Sequence, residues 1–231
     1  MKIKLSPRSS KGFTLIELII VIAILVTLAG IAYPTYMSIQ ENAGRTAAKK
    51  ACVDIVNAVE SFKQDNNGML PYNTDMVEPD DNDQMYLVTA AGQDADLIKV
   101  LTDREDEDAE RRLNTTRDIY LRSDEQDQPR EGLFINASGE VGYYDPWGMP
   151  YYIVLCEEDA GAKDPFTSRR YRGKNCLVYS TGPDQSGVAT TDSAPVKKPK
   201  GNKAQAAAAA AAAEQLEEEL EDNVFSWKNQ K

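Results

Sequence analysis

The sequence of 231 residues contains no histidine and only three cysteines. Without histidine, the chain has no Ser-His-Asp or Cys-His catalytic group, no histidine general base and no histidine-ligated zinc site. Three cysteines are too few for a fold that depends on a framework of disulfide bonds. The sequence also has no nucleophile–base pattern, phosphate-binding loop or metal motif. We therefore expect that the protein is not an enzyme.

Positive charge is also scarce. The chain has 26 Lys and Arg residues against 37 Asp and Glu residues, which gives a formal net charge of −11 at pH 7. Four of the cations, Lys2, Lys4, Arg8 and Lys11, precede the first apolar segment, and removing these four positive charges leaves −15. Phosphate binding needs clustered cations, so an acidic body argues against nucleic acid as the main partner.

Between Phe13 and Tyr33 the only charged side chain is that of Glu17. An apolar run of this length predicts a helix that crosses a membrane. The basic residues ahead of it predict that this end stays in the cytoplasm. A carboxylate inside a membrane helix costs roughly 2.5–3.5 kcal/mol on insertion scales, so we expect Glu17 to have a dedicated partner.

The small residue Gly12 lies before the apolar run, whereas a secretory signal has its small-residue cleavage site after a shorter apolar core. Cleavage at Gly12 would therefore leave the membrane helix on the mature protein. The alternative is a plain signal anchor in which Glu17 is accidental.

The segment Gly-Phe-Thr-Leu-Ile-Glu at positions 12–17 resembles the class III signal of type IV pilins and type II secretion pseudopilins. The resemblance implies that a prepilin peptidase cuts between Gly12 and Phe13 and methylates the new amine of Phe13. It also implies a role in filament assembly for Glu17, whose carboxylate would neutralise the N-terminal amine of a neighbouring subunit.

The helical pattern continues beyond the apolar run. Pro34 has no backbone N–H and its ring crowds the preceding turn, so we expect a kink there. Further on, apolar residues recur at steps of three and four, which predicts an amphipathic helix. They are Ala48, Cys52, Ile55, Val59 and Phe62. One helix from Phe13 to Asp65 is predicted, ended by Asn66-Asn67-Gly68.

The remainder predicts a small α+β domain. Residues 94–101 read as a short amphipathic helix, and the highly charged segment 102–131 as a solvated excursion without chemistry. From Gly132 onwards, short apolar runs predict an antiparallel sheet of three or four strands packed on the long helix. Cys156 and Cys176 end and begin neighbouring runs. They are either a hairpin disulfide or small apolar core residues.

A second resemblance lies in this region. Asp-Pro-Trp-Gly-x-Pro-Tyr at 145–151 is similar to the signature of the major pseudopilin of type II secretion. The Ser-Thr-Gly-Pro-Asp loop at 180–184 and the tail at 222–227 are similar to that family's last loop and C-terminus. The family implies one Ca²⁺ bound there, with Asp184, Asp222, Asn223 and Ser180 at the matching positions. Asn223 replaces an aspartate of the family pattern.

A further departure is the insert of residues 185–221, which separates the two halves of that calcium site. Residues 185–203 have the composition of a flexible linker. Residues 203–221 contain eight consecutive alanines followed by Leu and Glu, which predicts a helix. The insert is either a tolerated low-complexity segment or a lateral contact between subunits.

The sequence thus predicts a pilin-like α+β protein whose long kinked helix packs on a small antiparallel sheet. Its predicted parts are a cleaved leader (1–12), a membrane and assembly half of the helix (13–34), an amphipathic half (35–66), a globular domain (67–184), the insert (185–221) and a tail that docks on the sheet (222–231). The resemblance implies a single-pass protein of the inner membrane, with its C-terminal domain in the periplasm.

As implied by the resemblance, the function is that of a major pseudopilin which polymerises through its helix to drive protein export. Its partners would be further copies of itself, the prepilin peptidase, minor pseudopilins and the inner-membrane secretion platform. The alternative is a type IV pilin of a surface appendage for adhesion, motility or DNA uptake. Glu17 argues against a minor pseudopilin at the filament tip.

Overall fold

A computed structural model of the chain describes residues 13–72, 84–93, 96–106, 112–157, 161–167, 169–185 and 223–226. The leader, nearly all of the insert, Asp222 and Trp227 lie outside the described residues. The chain divides between Asn42 and Ala43 into two compact units, which are described separately.

The first helix, α1, extends from Leu15 to Asp65 and contains Pro34. The predicted long helix is therefore confirmed, and proline does not end it. The predicted kink stays a prediction. The helix terminates as its last residues indicate, because Asn67 and Gly68 adopt positive φ angles of 55° and 85°. The Gly68 N–H donates to the Lys63 carbonyl over 2.8 Å, which satisfies one of the last helical carbonyls.

In the second unit, one face of α1 packs against the core. All the residues of the predicted apolar stripe are buried, together with Ala58. They pack on a four-stranded antiparallel sheet with the order β1-β5-β6-β7. Its strands are β1 (Gln84–Val88), β5 (Tyr152–Cys156), β6 (Cys176–Ser180) and β7 (Val224–Phe225). The predicted α+β fold is confirmed by this arrangement.

A second, three-stranded sheet has the order β2-β3-β4. It consists of β2 (Glu125–Gln126), β3 (Gly132–Ile135) and β4 (Val141–Tyr144), and β2 runs parallel to β3. Thr89 joins the two sheets: its hydroxyl donates to the Tyr143 carbonyl over 2.5 Å and accepts the Tyr151 N–H over 2.8 Å. The prediction of one antiparallel sheet beginning at Gly132 was wrong in its extent, because β1 and β2 precede that residue.

The charged segment 102–131 was wrongly predicted to be a solvated excursion. Leu113 and Leu121 are buried in the main core. The Glu105 carboxylate accepts the backbone N–H groups of Leu113 and Asn114 over 2.8 and 2.9 Å. The backbone N–H of Leu121 donates to the carbonyl of Leu101 over 2.9 Å, at the end of the short helix α2 (Asp96–Leu101). Leu113, Asn114 and Leu121 are therefore part of the packed domain, whereas most of the other described residues of the segment are exposed.

Of the two alternatives for Cys156 and Cys176, the structure supports small core residues and not a disulfide. All three cysteines, which lie within the described ranges, are buried, and none of them forms a disulfide bond. Strand register gives the reason, because Cys176 faces Leu155 and not Cys156 across the β5–β6 pair. Neighbouring residues of a strand point to opposite faces, so the two thiols lie on opposite sides of the sheet. Cys176 belongs to the core against α1, and Cys156 to the cluster on the other face.

Candidate assembly segment and C-terminal docking site

The first candidate site is the apolar half of α1. The described residues of the first unit, 13–42, are all exposed. Phe13 is 85% exposed, Leu15 76% and Ile31 72%. The helix is long and apolar enough to cross a membrane. A continuous apolar surface of this size requires cover by lipid or by other helices.

Glu17 forms a capping box at the beginning of this helix. Its Oε2 accepts the Thr14 N–H over 2.9 Å and the Thr14 hydroxyl over 2.6 Å. The Glu17 N–H in turn donates to Thr14 Oγ1 over 3.3 Å. Two otherwise unsatisfied N–H groups of the first turn are bonded in this way. In the isolated chain, the partner of Glu17 is therefore Thr14. The spacing Thr-x-x-Glu is a signal that could have predicted it.

The second candidate site begins at the turn after β4, which Asp145 organises. Its Oδ1 accepts the N–H groups of Trp147 and Met149 over 2.9 and 2.8 Å. Its Oδ2 accepts the Ser180 hydroxyl over 2.6 Å, at the end of β6. Burial raises the pKa of the Asp145 carboxyl, and these hydrogen bonds oppose the rise. The Asp-Pro-Trp-Gly motif is thus a fixed turn tied to the central strand β6.

The same turn touches α1. A β-carbon placed on Gly44 would lie 3.0 Å from Cζ2 of the Trp147 ring. On the other side of the turn, Arg130 Nε donates to the Pro146 carbonyl over 2.6 Å. The turn is therefore held between the helix and the segment before β3.

The C-terminal residues described, Asn223–Ser226, form the docked tail and bind along the free side of β6. Ser180 pairs with Val224, and Tyr179 with Phe225. The Ser226 N–H donates to the Val178 carbonyl over 2.8 Å, and the Val178 N–H returns a bond to Ser226 Oγ over 2.9 Å. Val224 and Phe225 are 0% and 3% exposed. The tail thus completes the main sheet.

Two residues of α1 also hold the docked tail. Lys49 Nζ donates to the Phe225 carbonyl, and Cys52 Sγ lies 3.8 Å from the Val224 carbonyl oxygen. Burial lowers the pKa of the Lys49 ammonium, and the charge of Lys174 adds to this effect. These roles were missed because bonds to a tail more than 170 positions away leave no local pattern in the sequence.

An aromatic cluster holds the tail on the opposite face of the sheet. The Phe166 ring meets the Tyr179 and Phe225 rings edge to face, with centroids 5.0 and 5.8 Å apart. Tyr152 stacks on Tyr179 at 5.2 Å. Each such pair stabilises by about 0.5–1.5 kcal/mol beyond its buried area. Consecutive tail residues thus engage both faces of the sheet.

Three of the residues matched to a calcium site are described. Ser180 is buried, and its hydroxyl donates to Asp145 and accepts the Gly182 N–H over 3.1 Å. Asp184 is exposed, and Asn223 is buried just before β7. Because Ser180 pairs with Val224, the β6 end and the β7 start lie at the same end of the sheet. Asp222 lies outside the described residues. No group of three or more His, Cys, Asp or Glu placed to hold a metal occurs in the described part of the chain.

The chain is similar to known proteins over part of its length. The family model for the prokaryotic N-terminal methylation motif matches residues 7–33. PilA4, the major component of a type IV wide pilus of Thermus thermophilus, is 42% identical over 60 residues. Two type II secretion system core proteins G are each 40% identical: that of Pectobacterium carotovorum over 57 residues and that of Aeromonas hydrophila over 60 residues.

These matches cover about a quarter of this chain: 26%, 25% and 26% in that order. They cover 46%, 36% and 42% of the respective relatives, so the chain spans less than half the length of the curated relatives it matches. No solved structure gives a significant match. The methylation motif thus lies in the N-terminal segment, and the similar proteins include both a type IV pilus component and type II secretion core proteins G.

Proposed function

We propose that this chain, which is pilin-like in its N-terminal segment and in its α+β architecture, is the structural subunit of a filament. In this role the apolar half of α1 anchors the subunit in the membrane before assembly and packs against the same helix of other copies afterwards. The part of the chain from Ala43 onwards is the globular domain carried by each subunit. The role is structural and not catalytic.

One observation carries the proposal: the apolar residues between Phe13 and Tyr33 are exposed, and a single carboxylate, that of Glu17, lies among them. Lipid covers such a surface in a single subunit, and neighbouring helices cover it in a bundle. A carboxylate is costly in either setting unless it meets a cation. The N-terminal amine that cleavage before Phe13 creates is a cation of this kind. We propose that Glu17 of one copy pairs with the Phe13 amine of the next.

Within filament subunits, we propose a major pseudopilin of a type II secretion system. The support is the Asp-Pro-Trp-Gly turn, which resembles that family's signature and is tied by Asp145 to β6 and by Trp147 to α1. The alternative is a type IV pilin of a surface appendage. The identities to core protein G and to PilA4 are nearly equal, at 40% and 42%, and do not favour either.

The test uses full-length chain expressed with its own secretion or pilus apparatus. Mass spectrometry of the purified protein should show that it begins at Phe13 and carries one added methyl group. Electron microscopy should show filaments. A chain that still begins at Met1, or that is always solitary in the bilayer, would refute the proposal. Short filaments confined to the periplasm support the pseudopilin, whereas long extracellular ones support the pilin.

Partners and location follow from this role. We propose a single-pass protein of the inner membrane whose C-terminal domain lies in the periplasm. The prepilin peptidase would process it, and minor pseudopilins and the inner-membrane secretion platform would contact the growing filament. Loss of export when the gene is deleted, restored by the wild-type chain, tests the link to secretion.

We also propose a calcium ion at the junction of β6 and β7, held by Asp184, Asp222 and Asn223. Carboxylate and amide oxygens are the donors that Ca²⁺ takes from irregular loops, and the bound ion would fix the docked tail. The Ser180 hydroxyl is bonded to Asp145 and is the least suited of the matched groups. Chelator should lower the melting temperature of the wild-type chain but not that of Asp184→Ala. An equal response of both would exclude the site.

A further inference from the structure

The docked tail, Asn223–Ser226, pairs with β6, but an unusually long segment of chain connects the two. Ser180 and Val224 are paired neighbours in adjacent antiparallel strands. Such strands are ordinarily joined by about two to five residues. Here residues 186–222, 37 positions, lie between the last described residue of the loop and the tail. The connection is therefore far longer than the pairing requires.

The contacts that hold the tail are also independent of this connection. They come from β6, from Lys49 and Cys52 of α1, and from Phe166 on the far face. These contacts include backbone bonds to β6, the Ser226 hydroxyl, two buried apolar side chains and the bond from Lys49. Any copy of the same four residues, from whichever chain, would make the same contacts.

The reach of the insert matches the distance to a neighbour. From their composition, residues 186–202 are expected to span about 20–25 Å as a random coil, and the helix predicted for residues 203–221 would add about 28 Å. Combined as independent segments, the two give a span of about 35–38 Å. A domain of about 150 residues has a radius of gyration of about 15 Å, so two such domains in contact have centres about 35–40 Å apart. In a filament the insert is therefore long enough for the tail of one subunit to reach the β6 edge of its neighbour.

We propose that in the assembled filament the docked tail is exchanged, so that Asn223–Ser226 of one copy completes the main sheet of an adjacent copy. The occupant of the β6 edge is a second copy of this chain. This inference rests on the proposed filament function. Exchange of an identical element between copies is a low-cost route to association, because each domain releases its own tail and receives an identical one from its neighbour.

The test uses isotopes to tell one chain from another. Val224→Cys places a thiol beside native Cys52, whose sulfur lies 3.8 Å from the Val224 carbonyl oxygen. Filaments are assembled from equal amounts of isotopically heavy and light full-length variant and oxidised. Mass spectrometry then reads the peptides that join positions 52 and 224. With full exchange, about half of these peptides should combine heavy and light chains, as random pairing of neighbours requires.

Detergent-dispersed single subunits of the same mixture give the background. A fraction of mixed-isotope peptides in filaments above this background supports exchange, and a fraction equal to it overturns the inference. If the two thiols do not oxidise, a short thiol-reactive cross-linker between the same two positions provides the same readout. Phe225→Asp places a charge in the aromatic cluster and should remove the cross-link. Asn202→Asp, the same charge change in the insert, should leave it.

Electron microscopy of the same samples distinguishes failure of the proposed filament function from failure of the tail exchange. If filaments do not form, both the proposed function and the tail exchange are refuted. If filaments form and every cross-link joins parts of one chain, the proposed function stands and only the exchange is refuted.

Discussion

The indole ring of Trp147 lies against Gly44 of α1, so close that a β-carbon at position 44 would come within 3.0 Å of the ring. The contact joins the Asp-Pro-Trp-Gly turn to the first residues of the helix that belong to the globular unit. It also explains a glycine in a helix interior, where glycine costs about 1 kcal/mol relative to alanine. Close approach of the ring offsets that cost.

Gly44→Val should therefore destabilise the globular unit by about 1–3 kcal/mol, the usual cost of adding bulk to a packed contact. Thermal unfolding of the full chain in detergent, followed by tryptophan fluorescence, measures it. Gly30→Val is the matched control, because nothing lies within 4 Å of a β-carbon there. The double variant with Trp147→Ala should lose less than the sum of the two single changes. If the two changes in unfolding free energy are simply additive, Trp147 does not contact the side chain at position 44.

The two roles assigned to Glu17 can be separated by substitution. Glu17→Gln keeps a side chain that functions in a capping box but removes the negative charge. We expect it to insert in the membrane and to be processed but not to form filaments, as Glu17→Ala should also do. Electron microscopy and N-terminal mass analysis check this.

Thr14→Ala is the complementary variant, since it removes the cap and leaves the carboxylate. Loss of a threonine cap costs about 1 kcal/mol of helix stability. We expect fraying of the first turn, visible by hydrogen exchange, with filaments still formed.

Normal filaments from Glu17→Gln would show that the negative charge of Glu17 is dispensable for assembly.

Asp145 should impose a measurable pH dependence. Burial raises the pKa of its carboxyl in the folded state above that in the unfolded chain. The folded protein therefore holds this proton more tightly, so the contribution of Asp145 to stability falls as pH rises through the interval between the two pKa values. Asp145→Asn carries no titratable group there. The unfolding free energy of wild type minus that of Asp145→Asn should thus increase as pH is lowered towards about 4. A difference independent of pH would contradict the burial argument.

Lys49 and Lys50 are adjacent in sequence but differ in role. Lys49 bonds the Phe225 carbonyl, whereas Lys50, 79% exposed at its side chain, pairs with Asp54 at 2.9 Å on the helix surface. Lys49→Met should weaken the docking of the tail by about 1 kcal/mol. Lys50→Met should change stability by less than about 0.5 kcal/mol. The rate of proteolytic removal of residues beyond Ser226 measures tail release. Equal rates in the two variants would show that the Lys49 bond does not retain the tail.

The long helix could be predicted because its buried residues recur at steps of three and four, and because Asn67 and Gly68 favour the positive φ angles that end it. The burial of Leu113 and Leu121 in the core could not be predicted from the sequence. They lie in a charged segment without periodicity. The carboxylate of Glu105 holds Leu113 through backbone N–H groups, and the carbonyl of Leu101 holds Leu121.

Strand register is the second feature that could not be predicted from the sequence. The continuous apolar runs of β5 and β6 identify both strands, but a shift of one residue decides whether Cys156 and Cys176 share a face. The long connection between the strands leaves that shift unspecified in the sequence. The partners of the docked tail were likewise hidden, because Lys49 and Val178 are separated from it by most of the domain and by the insert.

The burial of all three thiols has a practical consequence. Burial raises the pKa of Cys52 and Cys176, so that both remain protonated and poorly nucleophilic. We therefore expect the domain to mature equally well in a reducing or an oxidising compartment, and dithiothreitol to leave its melting curve unchanged.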